Sequence, residues 1–398
     1  MKQHRIIHIP TFVLALFLMF TSSVLRAQDK PVWLADSLIT VGYATGNKKN
    51  ISGSVEKITE LGMNKDQITN PLEAIRGRVP GLTIEKGTNG PAALDAVRLR
   101  GTTSLTSGND PLIIVDGVFG DLSMLTSIYP TDIESFTILK DASATAVYGV
   151  RGANGVILVQ TKRGKLGKPT VNVHFEQSFT QPTKLPQYIG SAEYLTLLNE
   201  IAKDNGQQQS PYSQETIDHY INRTDPDLYP DVNWMDLITK DFAMNQRADI
   251  TVNGGSDILR YAVVGSYYGE QGIFERDKSQ SWNSGTHLNK FNLRSNVDIN
   301  ITKTTQLTVS VGGYLQEMNK MAISSDDAFS GAFETPPFIH PAYYKEDDNI
   351  YFPVVNQRVN PYVQVTQKGY ATTSQSKIES LFALEQDLKF ITPGLKIK

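Results

Sequence analysis

From residue 169 onward the chain alternates between apolar and polar positions. Val171, Val173, Phe175 and Phe179 share one face of 171–179, and the same period of two recurs over 244–253 and 258–268. It is clearest over 291–301, where Phe291, Leu293, Val297, Ile299 and Ile301 oppose Asn292, Arg294, Asn296, Asp298 and Asn300. Leu307, Val309 and Val311 alternate with Gln306, Thr308 and Ser310, and 376–391 sets Ile378, Phe382, Leu384, Leu388 and Phe390 on one face. Side chains of a strand point alternately to its two sides, so each stretch is expected to be a strand with one apolar and one polar face. Leu395 and Ile397, beyond Thr392-Pro393-Gly394, begin a seventh.

The connections alternate as well. Short turns (Gly254 to Asp257, Thr302 to Thr305) take turns with long segments, the first of which carries a helix expected to be capped by Ser191. Short turns at one end, long loops at the other and about ten alternating residues per strand are the signature of a transmembrane β-barrel. A soluble sandwich alternates equally well. The long loops confined to one end, together with an export signal, favour the barrel.

Ahead of the strands the texture differs. Lys2 and Arg5, the apolar run Phe12 to Phe20, then Thr21, Ser22, Ser23 and Ala27 follow the order of a signal peptide, placed at 1–27. Its apolar core is shorter than the roughly 20 residues a membrane-spanning anchor needs. Residues 28–50 are polar and are expected to be a flexible arm, apart from the apolar patch Leu38, Ile39, Thr40 and Val41. Residues 51–165 have the pattern of a compact α+β domain. Pro111 to Gly117 and Gly155 to Thr161 read as buried strands bounded by glycine turns. Pro71 to Arg78 and Asp141 to Tyr148 read as short helices, the second capped by Asp141 and ended by Gly149.

Composition narrows the chemistry. A net charge of −3 and a mean hydropathy of −0.27 give no basic excess for nucleic acid. Cysteine is absent, which excludes thiol chemistry, disulfides and a lipidated N-terminal cysteine. The six histidines show no metal-ligand spacing, no serine lies in a nucleophile-elbow pattern, and Asp347-Asp348 sits in a polar loop. No catalysis, metal or cofactor is expected. The loop aromatics Tyr212, Tyr220, Trp234, Tyr343, Tyr344 and Tyr351 suit stacking on sugars and equally an interfacial girdle.

Four motifs carry a family resemblance: Asp132 to Gly155, Val97 to Ser104, Pro111 to Gly117, and Val41 to Gly46 with Ile51 to Val55. Through them the chain resembles SusC/RagA-type TonB-dependent transporters. The resemblance implies a mainly β protein: a plug domain at 51–165, then, over 169–398, the first six or seven antiparallel strands of a transmembrane barrel of about 22 strands, left incomplete. It implies an outer-membrane location and energised uptake of an oligosaccharide or peptide. The implied partners are TonB with its ExbB/ExbD complex, a SusD-like surface lipoprotein and outer-membrane lipid, with no nucleic acid.

The TonB box is assigned to Leu38, Ile39, Thr40 and Val41, because such a handle must be extended and able to pair as an added strand. The plug motif comprises Arg98, Arg100, Gly101, Asp116, Gly117, Asp141, Tyr148, Arg151, Gly152, Asn154 and Gly155. Arg98, Arg100 and Arg151 are candidates to pair with Asp116, Asp132 and Asp141 and so fix the plug against a polar wall. Arg151 to Gly155 reads as a helix-to-strand turn; a phosphate loop would place the strand before the glycines. Two departures from the family are noted. The extra N-terminal β-sandwich and the signalling domain of other members are expected to have no counterpart, since the signal peptide leads almost straight to the arm, and seven strands are not expected to close a barrel. Competing readings are a siderophore or corrinoid receptor, a surface binding protein that never transports, and an inactive gene fragment.

Overall fold

A computed structural model describes residues 38–41, 44–47, 53–63, 70–86, 94–106, 108–125, 128–347, 349–353 and 359–398. The expected signal peptide lies outside the described residues, as does most of 28–50. The described part of that arm is not without structure. Strand β1 (Leu38–Val41) pairs antiparallel with β2 (Ala44–Asn47), so the apolar patch is one side of a two-stranded hairpin.

Next comes an α+β unit. Its strands are β3 (Val55–Thr59), β4 (Leu82–Lys86), β5 (Leu94–Leu99), β6 (Leu112–Val115), β7 (Val118–Gly120), β8 (Ile133–Leu139) and β9 (Val156–Thr161). Five form one sheet in the order β3-β8-β9-β6-β7, in which only β6 and β9 run parallel; β4 and β5 pair separately. The apolar runs around Pro111 and Gly155 thus become neighbouring central strands. Leu72, Ile75, Ile113, Leu125, Ile128, Phe136 and Ile157 are wholly buried in one core. Between β6 and β7, Asp116 and Gly117 both take positive φ (49° and 91°), the two-residue turn whose twist matches a hairpin.

The expected helices are shorter than their sequence pattern. Over 71–75 the chain makes one 3-10 turn, with Asn70 accepting from the Leu72 N–H at 3.0 Å. Arg76 is already extended and Gly77 has φ 72°, which stops it well before Arg78. Asp141 stands at the N-cap of Ala142–Thr145 but its side chain does not cap; the carboxylate accepts from the Ser54 N–H at 2.6 Å instead. A 3-10 segment continues to Gly152 and is broken at Gly149, where φ is 61°.

The alternating region forms one antiparallel sheet, here called the wall. Its strands are β10 (Gly167–Thr180), β11 (Ala243–Gly255), β12 (Leu259–Gln271), β13 (His287–Asn300) and β14 (Thr305–Met321). A small hairpin, β15 (Tyr344–Glu346) with β16 (Asn349–Tyr351), follows, then β17 (Tyr370–Asp387) and β18 (Lys396–Ile397) complete the wall. The sheet has seven strands in chain order and is open. The sixth strand begins earlier than expected and ends at Asp387. Leu388 and Phe390 fall in a turn in which the Leu388 carbonyl accepts from the Ile391 and Thr392 N–H groups. The first long connection carries helix Ser191–Asp204. Gly190 is its N-cap, and Ser191 is the first helical residue, donating through Oγ to the Pro230 carbonyl at 2.8 Å.

Burial across the wall is inverted relative to a soluble sheet. Leu293, Ile378 and Phe382 are 62, 83 and 68% exposed, whereas Asn292, Arg294 and Asn296 are 6, 6 and 2% exposed. The polar face turns toward the α+β unit. The long connections meet at one end, where Trp234, Met235, Ile238, Phe274 and Val365 make a second core. Trp234 is buried there and Tyr220 in a separate cluster with Leu195 and Ile217, which removes both from the aromatics open to a ligand; Tyr343, Tyr344 and Tyr351 stay exposed.

Gly155 has φ 91°, and a Cβ there would strike Leu99 and lie 3.2 Å from the Leu139 carbonyl oxygen. Gly155→Ala should therefore lower the urea stability of an isolated 51–165 segment by about 1–3 kcal/mol. An unchanged unfolding midpoint would contradict this packing.

Candidate functional site

The polar face of the wall and the edge of the α+β unit meet in a seam built from few residues. Its centre is Arg294, on β13. Its cross-strand neighbour is Gly312, where a Cβ would lie 2.8 Å from the guanidinium carbon, so glycine leaves the space the arginine fills. Arg294 Nε stands 3.6 Å from Asp132 Oδ2, and its Nη2 4.0 Å from Glu379. Asp132 is held from its own side, since Oδ2 accepts from the Tyr129 N–H at 3.3 Å and its carbonyl from the Lys162 N–H at 2.7 Å. Burial raises the Asp132 pKa to about 6, against the opposing pull of Arg294 and of the Tyr129 N–H.

Two residues along β13, Asn296 donates to Thr161 Oγ1 at 3.0 Å and to the Lys162 carbonyl at 2.7 Å. Arg163 closes the seam where the chain passes from β9 into β10. It reaches Asp116 at 3.4 Å on one side, and Asp298 at 3.6 Å and Ser310 Oγ at 3.2 Å on the other. Asp116 is positioned by the Thr161 N–H and hydroxyl, both of which donate to it. Further up the wall, Arg247 pairs with Asp249 at 2.7 Å and lies over the Tyr129 ring at 5.3 Å, while Tyr129 packs with Tyr268 and Leu288. Beside Arg163 a cavity of about 520 Å³ separates sheet and wall, lined by Asp116, Phe119, Tyr148, Asp298 and Glu385.

The expected ion pairs are redistributed. Arg100, at φ 62°, pairs with Asp141 inside the α+β unit. Asp116 and Asp132 take their arginines from Arg163 and Arg294, not from Arg98 or Arg151, for which no ion pair is found among the described residues. Arg151 is exposed. Gly101, Gly117 and Gly155 all have positive φ, and Gly152 is buried close to the Thr145 carbonyl. Asn154 donates to the Gly108 carbonyl at 2.9 Å and accepts from Thr103 at 2.7 Å, so it ties down the 103–110 loop and does not itself turn to positive φ. Tyr148 meets Phe119 edge-on at 6.1 Å. Arg163 was not anticipated; its signal was the basic pair Lys162-Arg163 directly after the last strand of the unit. Among the described residues no cluster of His, Asp or Glu is placed to hold a metal.

A small sheet with its own core, docked on the polar side of a strand wall whose other side is apolar, has the architecture of a plug in a barrel. The model of the TonB-dependent receptor plug domain matches residues 47–156. TonB-dependent receptor P26 of Formosa agariphila is 32% identical over 289 residues, which is 71% of this chain and 27% of that protein. TonB-dependent receptor SusC of Bacteroides thetaiotaomicron is 28% identical over 322 residues, 79% of this chain and 29% of SusC. The RagAB peptide importer in its open-open state superposes with a TM-score of 0.66 at 21% identity, over 88% of this chain and 40% of that one, a likeness of fold. The chain thus belongs to the TonB-dependent receptor family. Within that class it belongs to the SusC/RagA type and aligns with the N-terminal portion, spanning under a third of the length of these curated relatives.

The pKa of Asp132 sets a pH dependence with a defined sign. A carboxyl whose docked pKa (about 6) exceeds its ordinary 3.8 holds a proton that the undocked group has released. Its contribution to plug docking should fall as pH rises between those values and stay level above. Hydrogen exchange of the β8 amides in the receptor, compared with Asp132→Asn, should show this slope in the wild type alone. Equal slopes would contradict the assignment.

Proposed function

We propose that this chain forms the plug and first strands of an outer-membrane transporter that imports a large nutrient, an oligosaccharide or a peptide, by TonB-driven displacement of the plug. The inverted wall carries the reading. Exposed leucine, isoleucine and phenylalanine on one whole face are stable in lipid, and the buried polar face belongs to a watery lumen. On β13 the outward set runs from Phe291 to Ile299. At a rise of about 3.4 Å per residue and a tilt of about 40° this spans roughly 20 Å, close to the apolar band of such barrels.

The plug suits removal. Apart from Tyr129 against Tyr268 and Leu288, the contacts described between it and the wall are hydrogen bonds and ion pairs that water can replace, worth about 0.5–1.5 kcal/mol net for a neutral hydrogen bond and about 1.5–3 where a charged group takes part. Its own core stays within the plug. Leu38–Val41, already extended in a hairpin, is the segment assigned to TonB, which would add to it as a strand. The expected signal peptide supports export to the outer membrane. The long connections, with their own core and exposed Tyr343, Tyr344 and Tyr351, are the surface assigned to a SusD-like lipoprotein and the cargo. The likeness to an importer of peptides makes peptide the first cargo to test.

Deleting residues 38–41 from the receptor should abolish uptake and leave its outer-membrane level unchanged; undiminished uptake would make the protein a surface binder. Leu293→Arg should cost about 2–4 kcal/mol in lipid and impair assembly, whereas Gln306→Arg, on the lumen side, should assemble normally. Equal assembly of the two would remove the lipid-facing assignment.

A further inference from the structure

The outward face of the wall changes character along one hydrogen-bonding row. Phe175, Ala248, Tyr267, Phe291 and Leu315 lie side by side on consecutive strands. The next outward row toward the long loops is Gln177, Gln246, Gly269, Asn289 and Glu317. On β12, β13 and β14 the apolar band ends there within two residues, whereas on β10 and β11 exposed Phe179 and Met244 follow beyond Gln177 and Gln246. Tyr267 and Phe291 mark its rim, their rings 5.0 Å apart, and the Tyr267 hydroxyl turns up to Asn289 at 3.1 Å.

Directly above this rim is a pocket of about 430 Å³ on the outward face, between β11, β12, β13 and the 272–286 connection. Gly269 keeps its floor open, because a Cβ there would stand 2.6 Å from the Tyr267 hydroxyl. Gln246, Asn289 and His287 line it from the strands, and Lys240 and Arg276 from the connections. Lys240 uses one donor on the Gly272 carbonyl at 3.1 Å. Among the described residues neither Lys240 nor Arg276 has an ion-pair partner, and the lining carboxylate, Glu270, accepts from the Tyr268 hydroxyl at 3.0 Å. Burial lowers the pKa of Lys240; the charge of Glu275 opposes this, and Arg276 and Lys278 add to it.

We propose that this pocket holds the phosphate of an anionic lipid headgroup from the surrounding membrane leaflet. The proposal rests on the reading that the apolar face meets lipid. Two half-free cations above an aromatic rim, at the level where an apolar band gives way to amide side chains, match the position and charge of a headgroup phosphate. The acyl chains then run down over Tyr267, Phe291, Leu293 and Ile250, all on the same face. A free anion lacks this second contact, which favours lipid as the source.

The test uses the receptor reconstituted in phosphatidylcholine nanodiscs with and without lipid A, the retained lipid being counted by native mass spectrometry. Wild type should retain lipid A. The double variant Lys240→Gln/Arg276→Gln should lose it roughly 25-fold, about fivefold for each basic side chain near a charged surface. Lys203→Gln, which removes one positive charge from helix Ser191–Asp204, should not differ from wild type. Equal retention by the double variant in correctly inserted receptor would overturn the site. Displacement of lipid A by millimolar inorganic phosphate would overturn the lipid source in favour of a free-anion pocket. Failure of wild type itself to insert would refute the lipid-facing reading and the site with it.

Discussion

The structure depends on one constraint: a strand has two sides, and in this wall the polar side is the buried one. A period of two admits no compromise, because a shift of one residue would move every side chain to the other face. Arg294, Asn292 and Asn296 point inward on the same strand that turns Phe291, Leu293 and Val297 outward. Buried groups of this kind must be hydrogen-bonded or hydrated. The plug supplies part of that requirement through Asp132, Thr161 and the Lys162 carbonyl.

That arrangement separates what is fixed from what can move. The plug has a core of its own, with Leu72, Ile75 and Phe136 wholly buried, so it does not need the wall in order to bury its apolar residues. Among the described residues the buried apolar cluster that spans the seam is Tyr129 with Tyr268 and Leu288. Water is able to replace the plug's polar groups against the wall at modest cost, whereas nothing aqueous replaces an apolar surrounding on the outward face. Arg163 is the point where the two bodies are covalently continuous, and its contacts with Asp116 and Asp298 hold both at the junction.

Much of this was readable in the sequence, for physical reasons that also explain the failures. Strands 291–301 and 307–311 were legible because alternation reports two different surroundings. The end of the sixth strand was not, because Leu388 and Phe390 keep the period of two while the backbone turns at Thr392-Pro393-Gly394. Asp141 has the right residue type and position for a cap, but Ser54 and Arg100, distant in sequence, take its carboxylate. The pairing of Asp116 and Asp132 was missed for the same reason: the competing arginines come from the wall and from the junction, and only the folded chain brings them close. The apolar patch at Leu38–Val41 was visible, while its hairpin partner Ala44–Asn47, short and polar, had no pattern to find.

The central claim is the direction in which the wall faces, and accessibility along a single strand tests it most directly. Spin labels placed one at a time at positions 291 to 299 of the receptor in a bilayer would report contact with oxygen, which concentrates in lipid. High values at 291, 293, 297 and 299, with low values at 292, 294, 296 and 298, are the result this account predicts. No alternation, or the opposite phase with the even positions in lipid, would contradict it.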